Sequence, residues 1–256
     1  VAVAVAARPE RGFMPDPLEI AQAASPGAKS LLINTPNNPT GVVYTQDTMD
    51  SIARVAQEHD LWLISDEVYD TQVWTGNHIS PRALPDMAQR TLVIGSMSKS
   101  HAMTGSRIGW IIGSEDAIEH MGNLSTHTPY GVAGFVQAAA FYALNKGTAI
   151  EAEIAEPFRR RRDLVMEMID GMNAVRATPP DGAMYVMLDL RETGLSGEAF
   201  ALRLLEDFHV AVMPGESFGS AAAGHVRVAL TVDDDRLVGA VGSIIEMATE
   251  LTSSSA

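Results

Sequence analysis

The chain of 256 residues carries 18 Lys+Arg against 32 Asp+Glu, a formal net charge of −14 at pH 7, with 46% hydrophobic and 20% charged residues and no cysteine. That composition is globular and excludes a disordered or fibrous chain; the acidic balance argues against general nucleic-acid binding; the missing thiols exclude disulfides, thiolate zinc sites and cysteine nucleophiles. No apolar run reaches the length of a membrane span, and Arg8 and Arg11 follow rather than precede the apolar opening, the wrong order for a signal peptide, so a reducing, cytoplasmic setting is expected.

In chain order, the Val/Ala alternation of residues 1–7 predicts a strand. Residues 29–34 (KSLLIN) predict a short buried strand, and Met49, Ile52, Ala53 and Ala56 mark one face of a helix. Further strands are predicted over 61–65 (LWLIS), 91–95 (TLVIG) and 108–112 (IGWII). This alternation points to an α/β domain with a mostly parallel sheet. The second half changes character. Residues 150–170 read as one long helix, followed by strands over 184–188, 210–213 and 226–230 and helices near 198–207 and 236–250. The pattern predicts a large domain over 1–149, a smaller α+β domain over 150–252 and a frayed tail over 253–256. The run of Arg159, Arg160, Arg161 and Arg162 is flanked by Glu156 and Asp163 at i, i+4 spacing, which predicts a solvated helix face. The seven histidines show no HExxH-type spacing, and no metal site is expected.

Lysine is rare: Lys29, Lys99 and Lys146 are the only three, against 15 arginines. Lys99 sits in SMSKSH directly after the TLVIG strand, where an amine among small hydroxyls suits a Schiff-base nucleophile. Eight residues on, Arg107 closes a glycine-bearing loop, and a guanidinium fork near serine hydroxyls suits a phosphate. Asp66 ends the LWLIS strand, and ligands of open α/β sheets bind beyond the carboxyl ends of strands. Residues 34–41 (NTPNNPTG) taken alone read as a turn. His101, two residues past Lys99, is the one histidine singled out for testing.

NNPTG (37–41), SDEVY (65–69), SMSKS (96–100), the Lys99 to Arg107 spacing, PDGAMY (180–185), PGESFG (214–219) and HVRVAL (225–230) together resemble the fold-type I, pyridoxal-phosphate-dependent aminotransferases of classes I and II. The resemblance covers nearly the whole chain. The wording of HDLWLISDEVY, SKSHAMTG and RRRRDLV is most similar to arginine–pyruvate transaminases. The resemblance implies the fold-type I transferase fold and pyridoxal 5'-phosphate as cofactor. It also implies a homodimer with a shared site, and exchange of an amino group between an amino acid, arginine among the candidates, and a 2-oxo acid such as pyruvate. Lys99 would carry the cofactor and shuttle the proton, and Asp66 would pair with the pyridinium nitrogen. Tyr69 and Asn38 would bond the ring's phenolate oxygen, with Asn38 also beside the substrate. Ser96, Ser98 and Arg107 would bind the phosphate, and Arg227 would take the substrate α-carboxylate as a fork.

A cis Asn38–Pro39 bond is implied as well, X–Pro being the bond type that tolerates it. A lyase of the same fold, or the aminotransferase-like effector domain of a transcription regulator, would carry the same residues. Ser106 stands where the family often has Trp. The family's N-terminal arm, first glycine-bearing phosphate loop, ring-stacking aromatic and partner-reaching tyrosine have no counterpart here. The 256 residues by themselves are therefore expected to hold half a site, expose apolar surface at a sheet edge and turn over poorly.

Overall fold

The apolar runs past residue 28 pair side by side. In a computed structural model that describes residues 1–24, 27–128 and 130–253, β1 (Ser30–Asn34), β2 (Trp62–Asp66) and β3 (Thr91–Ser96) are parallel. β4 (Gly109–Ile112) completes the order β1-β2-β3-β4 and runs antiparallel to β3, so the sheet is mostly parallel, as expected. Asn34 lies beside Asp66 and Asp66 beside Ile94, so the carboxyl ends of β1, β2 and β3 come together at one edge. α1 (Pro17–Ala23) starts at Asp16, whose side chain accepts from Leu18 N, with proline at the first helical position. α2 (Gln46–Glu58) is capped by Thr45 and buries Met49, Ile52, Ala53 and Ala56, the face the periodicity predicts. The one-turn α3 (Met97–Ser100), α4 (Glu115–Ser125), α5 (Gly134–Leu144) and α6 (Thr148–Met168) follow.

Two compact units result: Val1–Val5, Asp16–Pro36 and Val43–Glu156 form one, and Ala6–Pro15, Asn37–Val42 and Pro157–Ala256 the other. The division falls inside the long helix α6, at Pro157. The turn over 37–42 joins the second unit because Gly41 O accepts from Asp181 N (2.9 Å) and Gly182 N (2.8 Å). A Cβ on Gly41 would lie 2.3 Å from Pro180 Cβ, so the glycine allows this close approach.

The second unit holds β5 (Arg176–Ala177), β6 (Tyr185–Asp189), α7 (Gly197–Phe208), β7 (Met213–Pro214), β8 (His225–Ala229) and α8 (Asp234–Ser253). Its sheet is antiparallel in the order β5-β6-β8-β7. Val186, Leu188, Phe200, Leu204, Val226 and Ile244 lie in its buried core, and α8 contributes Leu237, Val241 and Ala248 from the predicted face. The arginine run is only partly a solvated face. Arg159 meets Asp163 at 3.5 Å in the open, but Arg160 Nε (2.8 Å) and Arg161 Nε (2.9 Å) both donate to Asp234 at the start of α8. These two guanidinium groups hold the Asp234 carboxyl down to about 2.

Four expectations need correction. Residues 1–7 form no strand: a strand persists through its ladder, and this Val/Ala run pairs with none among the described residues. Of 210–213 only Met213 joins a strand, the two-residue β7. The cis peptide is Thr35–Pro36, and Asn38–Pro39 is trans. The 37–41 turn closes without a cis bond, since Asn37 Oδ1 accepts from Thr40 Oγ1 (2.7 Å), Gly41 N donates to Asn37 O (2.8 Å) and Gly41 takes φ +73°. Ser253 completes α8, its hydroxyl donating to Thr249 O at 2.8 Å, while 254–256 lie outside the described residues. Apolar exposure is present as expected: β4 is exposed along its length, and α5, apolar all round, presents Phe135, Phe141 and Tyr142 to solvent. Among the described residues no helix is long and apolar enough to cross a membrane.

Candidate active site

In the first unit the chemistry gathers where β2 and β3 end. Asp66 is the last residue of β2, half-buried, with Oδ1 accepting from Val68 N at 3.3 Å. Its backbone carbonyl accepts from Thr35 N and Asn34 Nδ2, which ties the end of β1 to it. Burial, and then the neighbouring Glu67 charge, raise the Asp66 carboxyl above the usual carboxylate range. No cation pairs with it among the described residues. The chain then turns tightly: Asp70 N donates to Glu67 O and Gln72 N to Tyr69 O. Tyr69 is buried within this turn. Glu67, also buried, accepts from His78 Nε2 and Ser80 Oγ, both at 2.8 Å, which fixes the residue next to Asp66.

β3 delivers the second group. Its last residue, Ser96, caps α3 by accepting from Ser98 N (3.1 Å), and its own hydroxyl donates to Ile108 O (3.3 Å). The single Ser96 proton is therefore engaged within the protein, whereas the Ser98 hydroxyl makes no hydrogen bond among the described residues. Lys99 follows, half-buried, its amine without a partner among the described residues. His101 is buried, its Nδ1 2.8 Å from Ser100 Oγ and its Nε2 3.8 Å from Glu151 Oε1 in the first turn of α6. Arg107 is exposed, held at φ +51° with Nη1 donating to Thr104 O at 2.8 Å.

The second unit assembles a different set. Arg227 of β8 donates through Nη1 to Asn38 Oδ1 at 2.8 Å. Its guanidinium lies over the rings of Tyr185 (4.4 Å) and Phe218 (5.0 Å). Its Nε is buried with no hydrogen-bond partner. Such an unpaired charged donor is able to take an anion's oxygen.

Pyridoxal 5'-phosphate requires an amine to join its aldehyde, a carboxylate for its ring nitrogen, and hydroxyl and guanidinium donors for its phosphate. Lys99, the cation-less Asp66, Ser98 and Arg107 supply that donor set within one unit, so the residues present fit the group.

Several side chains of this set escape sequence reading. Tyr185 and Phe218 lie inside quoted motifs, but only strand pairing and the 215–218 turn bring them to Arg227. Glu216 likewise anchors that turn: Oε1 accepts from Gly197 N (2.8 Å) and Gly224 N (3.0 Å). Burial raises its carboxyl, but these backbone donors prevail and hold it below the usual range. Glu216→Ala strands both amides. It is expected to cost about 2–4 kcal/mol of stability in denaturant unfolding.

A family model for aminotransferase class I and II matches residues 4–244. An arginine–pyruvate transaminase of Pseudomonas aeruginosa is 43% identical over 249 residues, which are 97% of this chain and 63% of that protein. An aspartate/prephenate aminotransferase of Thermus thermophilus is 39% identical over 241 residues, 93% of this chain and 61% of its own length. Among solved structures, an aromatic aminotransferase from Pyrococcus horikoshii matches with a TM-score of 0.93 at 32% identity, covering 97% of this chain and 67% of that one. The chain spans a little under two thirds of the length of these curated relatives.

Proposed function

Because the chain belongs to the aminotransferase class I and II family, we propose that the whole protein uses pyridoxal 5'-phosphate to move an amino group between an amino acid and a 2-oxo acid. The observation that carries this reading is the placing of Asp66 and Lys99 at the carboxyl ends of adjacent parallel strands. The 43% identity to an arginine–pyruvate transaminase supports arginine as donor and pyruvate as acceptor. The exposed apolar faces of β4 and α5 support a homodimer, and the cysteine-free sequence supports a cytoplasmic location.

When bound, the cofactor supplies an aldehyde carbon that an amine can join and a protonated ring that draws electrons from it. Lys99 Nζ would hold the cofactor, and as a free amine it would take the proton from the substrate α-carbon. Asp66 keeps the ring nitrogen protonated. Tyr69 and Asn38 would donate to the ring's oxygen, and Ser98 and Arg107 would bind the phosphate, with Ser96 able to join them by releasing Ile108 O. Arg227 orients the α-carboxylate shared by donor and acceptor.

Borohydride treatment of the whole protein loaded with cofactor is expected to fix a pyridoxyl group on Lys99, read by tryptic mass mapping. Label on Lys29 or Lys146 would refute the assignment. Product analysis tests the reaction class: a new amino acid supports transfer, whereas ammonia or a thiol shows elimination.

A further inference from the structure

The proposed mechanism leaves Gln72 unused, yet this side chain joins the two groups of the first unit. Gln72 is fully buried and lies in the turn that carries Asp66 and Tyr69. Its Nε2 donates to the backbone carbonyl of Lys99 at 3.4 Å, and its Oε1 is buried without a partner. The amide has one workable orientation here, because a flip would set Oε1 against the Lys99 carbonyl, acceptor against acceptor.

α3 is a single turn, so its last carbonyls have no partner within the helix. Its other restraints do not reach the turn after β2: Ser96 Oγ accepts from Ser98 N, Ser100 Oγ donates to Ser96 O (3.2 Å), Met97 N donates to Ile108 O (3.3 Å), and His101 lies against Ser100 and Glu151. Gln72 ties the Lys99 backbone to the turn after β2. A buried amide that leaves its Oε1 unmet is a poor choice for stability alone, since an aliphatic side chain of the same size would fill the space without a polar burden. What the amide adds is direction.

We infer that Gln72 is a positioning residue: it locks the backbone of Lys99 to the turn bearing Asp66 and Tyr69, and so sets where the Lys99 amine stands relative to both. The inference rests on the function proposed above. Gln72→Met keeps the volume and removes the donor. Gln72→Glu keeps the length and turns an acceptor toward the carbonyl, and serves where the first variant folds poorly.

In the cofactor-free protein, either variant is expected to speed hydrogen exchange of the 97–103 peptide about tenfold. His101 N and Met103 N both donate there to Met97 O. A peptide over β6 stays unchanged. In the loaded protein, kcat falls about ten- to a hundredfold with KM little altered, and the absorption band of the lysine-bound cofactor titrates at a different pH. Unchanged exchange over 97–103 with an unchanged band overturns the inference, as does faster exchange in both peptides, which assigns Gln72 to general stability. If the unaltered protein fails to attach the cofactor to Lys99, the functional reading itself falls, and the positioning role with it.

Discussion

Asp66→Asn is expected to lower kcat by about 10²–10³-fold while the protein still attaches pyridoxal phosphate to Lys99. The amide is nearly isosteric and can still accept from Val68 N, so the turn after β2 keeps its anchor. What it loses is the negative charge that, on the proposed function, would hold a proton on the ring nitrogen. The carboxyl is raised in the folded state, first by burial and then by Glu67. Between the unfolded and folded values it therefore holds a proton that the unfolded chain has released. Stability falls as pH rises from the unfolded-state value of about 3.9 through the folded one, and the cost is absent below that window. Removing the charge removes the cost, so the cofactor-free variant should melt no lower than the unaltered protein at neutral pH. Near-normal kcat would show that another group reads the ring nitrogen. A fall in Tm alongside the fall in kcat would place Asp66 in the structure rather than in the chemistry.

The elements legible in the sequence are those whose burial is one-sided. Met49, Ile52, Ala53 and Ala56 repeat on one face because α2 packs one face inward, and Leu237, Val241 and Ala248 do the same in α8. α5 carries apolar residues all round and so gives no periodic signal. α1 is too short for one, and β5 and β7 are two-residue bridges. Residues 1–7 show the converse case: alternation without a partner strand gives no strand. The site divides in the same way. Asp66 ends β2 and Lys99 follows β3, and Tyr69, Arg107, Asn38 and Arg227 stand out because they fall in the motifs that carry the family resemblance. Gln72, Glu216 and Phe218 act through contacts that exist only after folding. Ser96 and Ser98 are alike in sequence, and only the hydrogen bonds show that the Ser96 hydroxyl caps α3 while that of Ser98 is left over.

Arg227→Ala is expected to raise KM for both the amino acid and the 2-oxo acid by about 10²–10³-fold, the loss that follows truncation of one member of a buried, hydrogen-bonded charge pair. The argument lies in how the guanidinium is held. The guanidinium lies over the rings of Tyr185 and Phe218, contacts that leave its N–H groups for hydrogen bonding. Asn38 Oδ1 takes Nη1. Nε–H and the N–H of Nη2 that points the same way remain, and Nε is buried without a partner. Two parallel donors on one edge match the two oxygens of a carboxylate, a bidentate contact that also fixes the substrate's orientation. Donor and acceptor carry the same α-carboxylate, so both KM values must move together, whereas an effect on one alone would contradict the role. Arg227→Lys separates charge from shape. An ammonium keeps the attraction but lacks the fork, so it should recover only part of the lost affinity. Full recovery with lysine would mean that charge suffices, and that the stack of Tyr185 and Phe218 serves packing rather than the aim of the guanidinium.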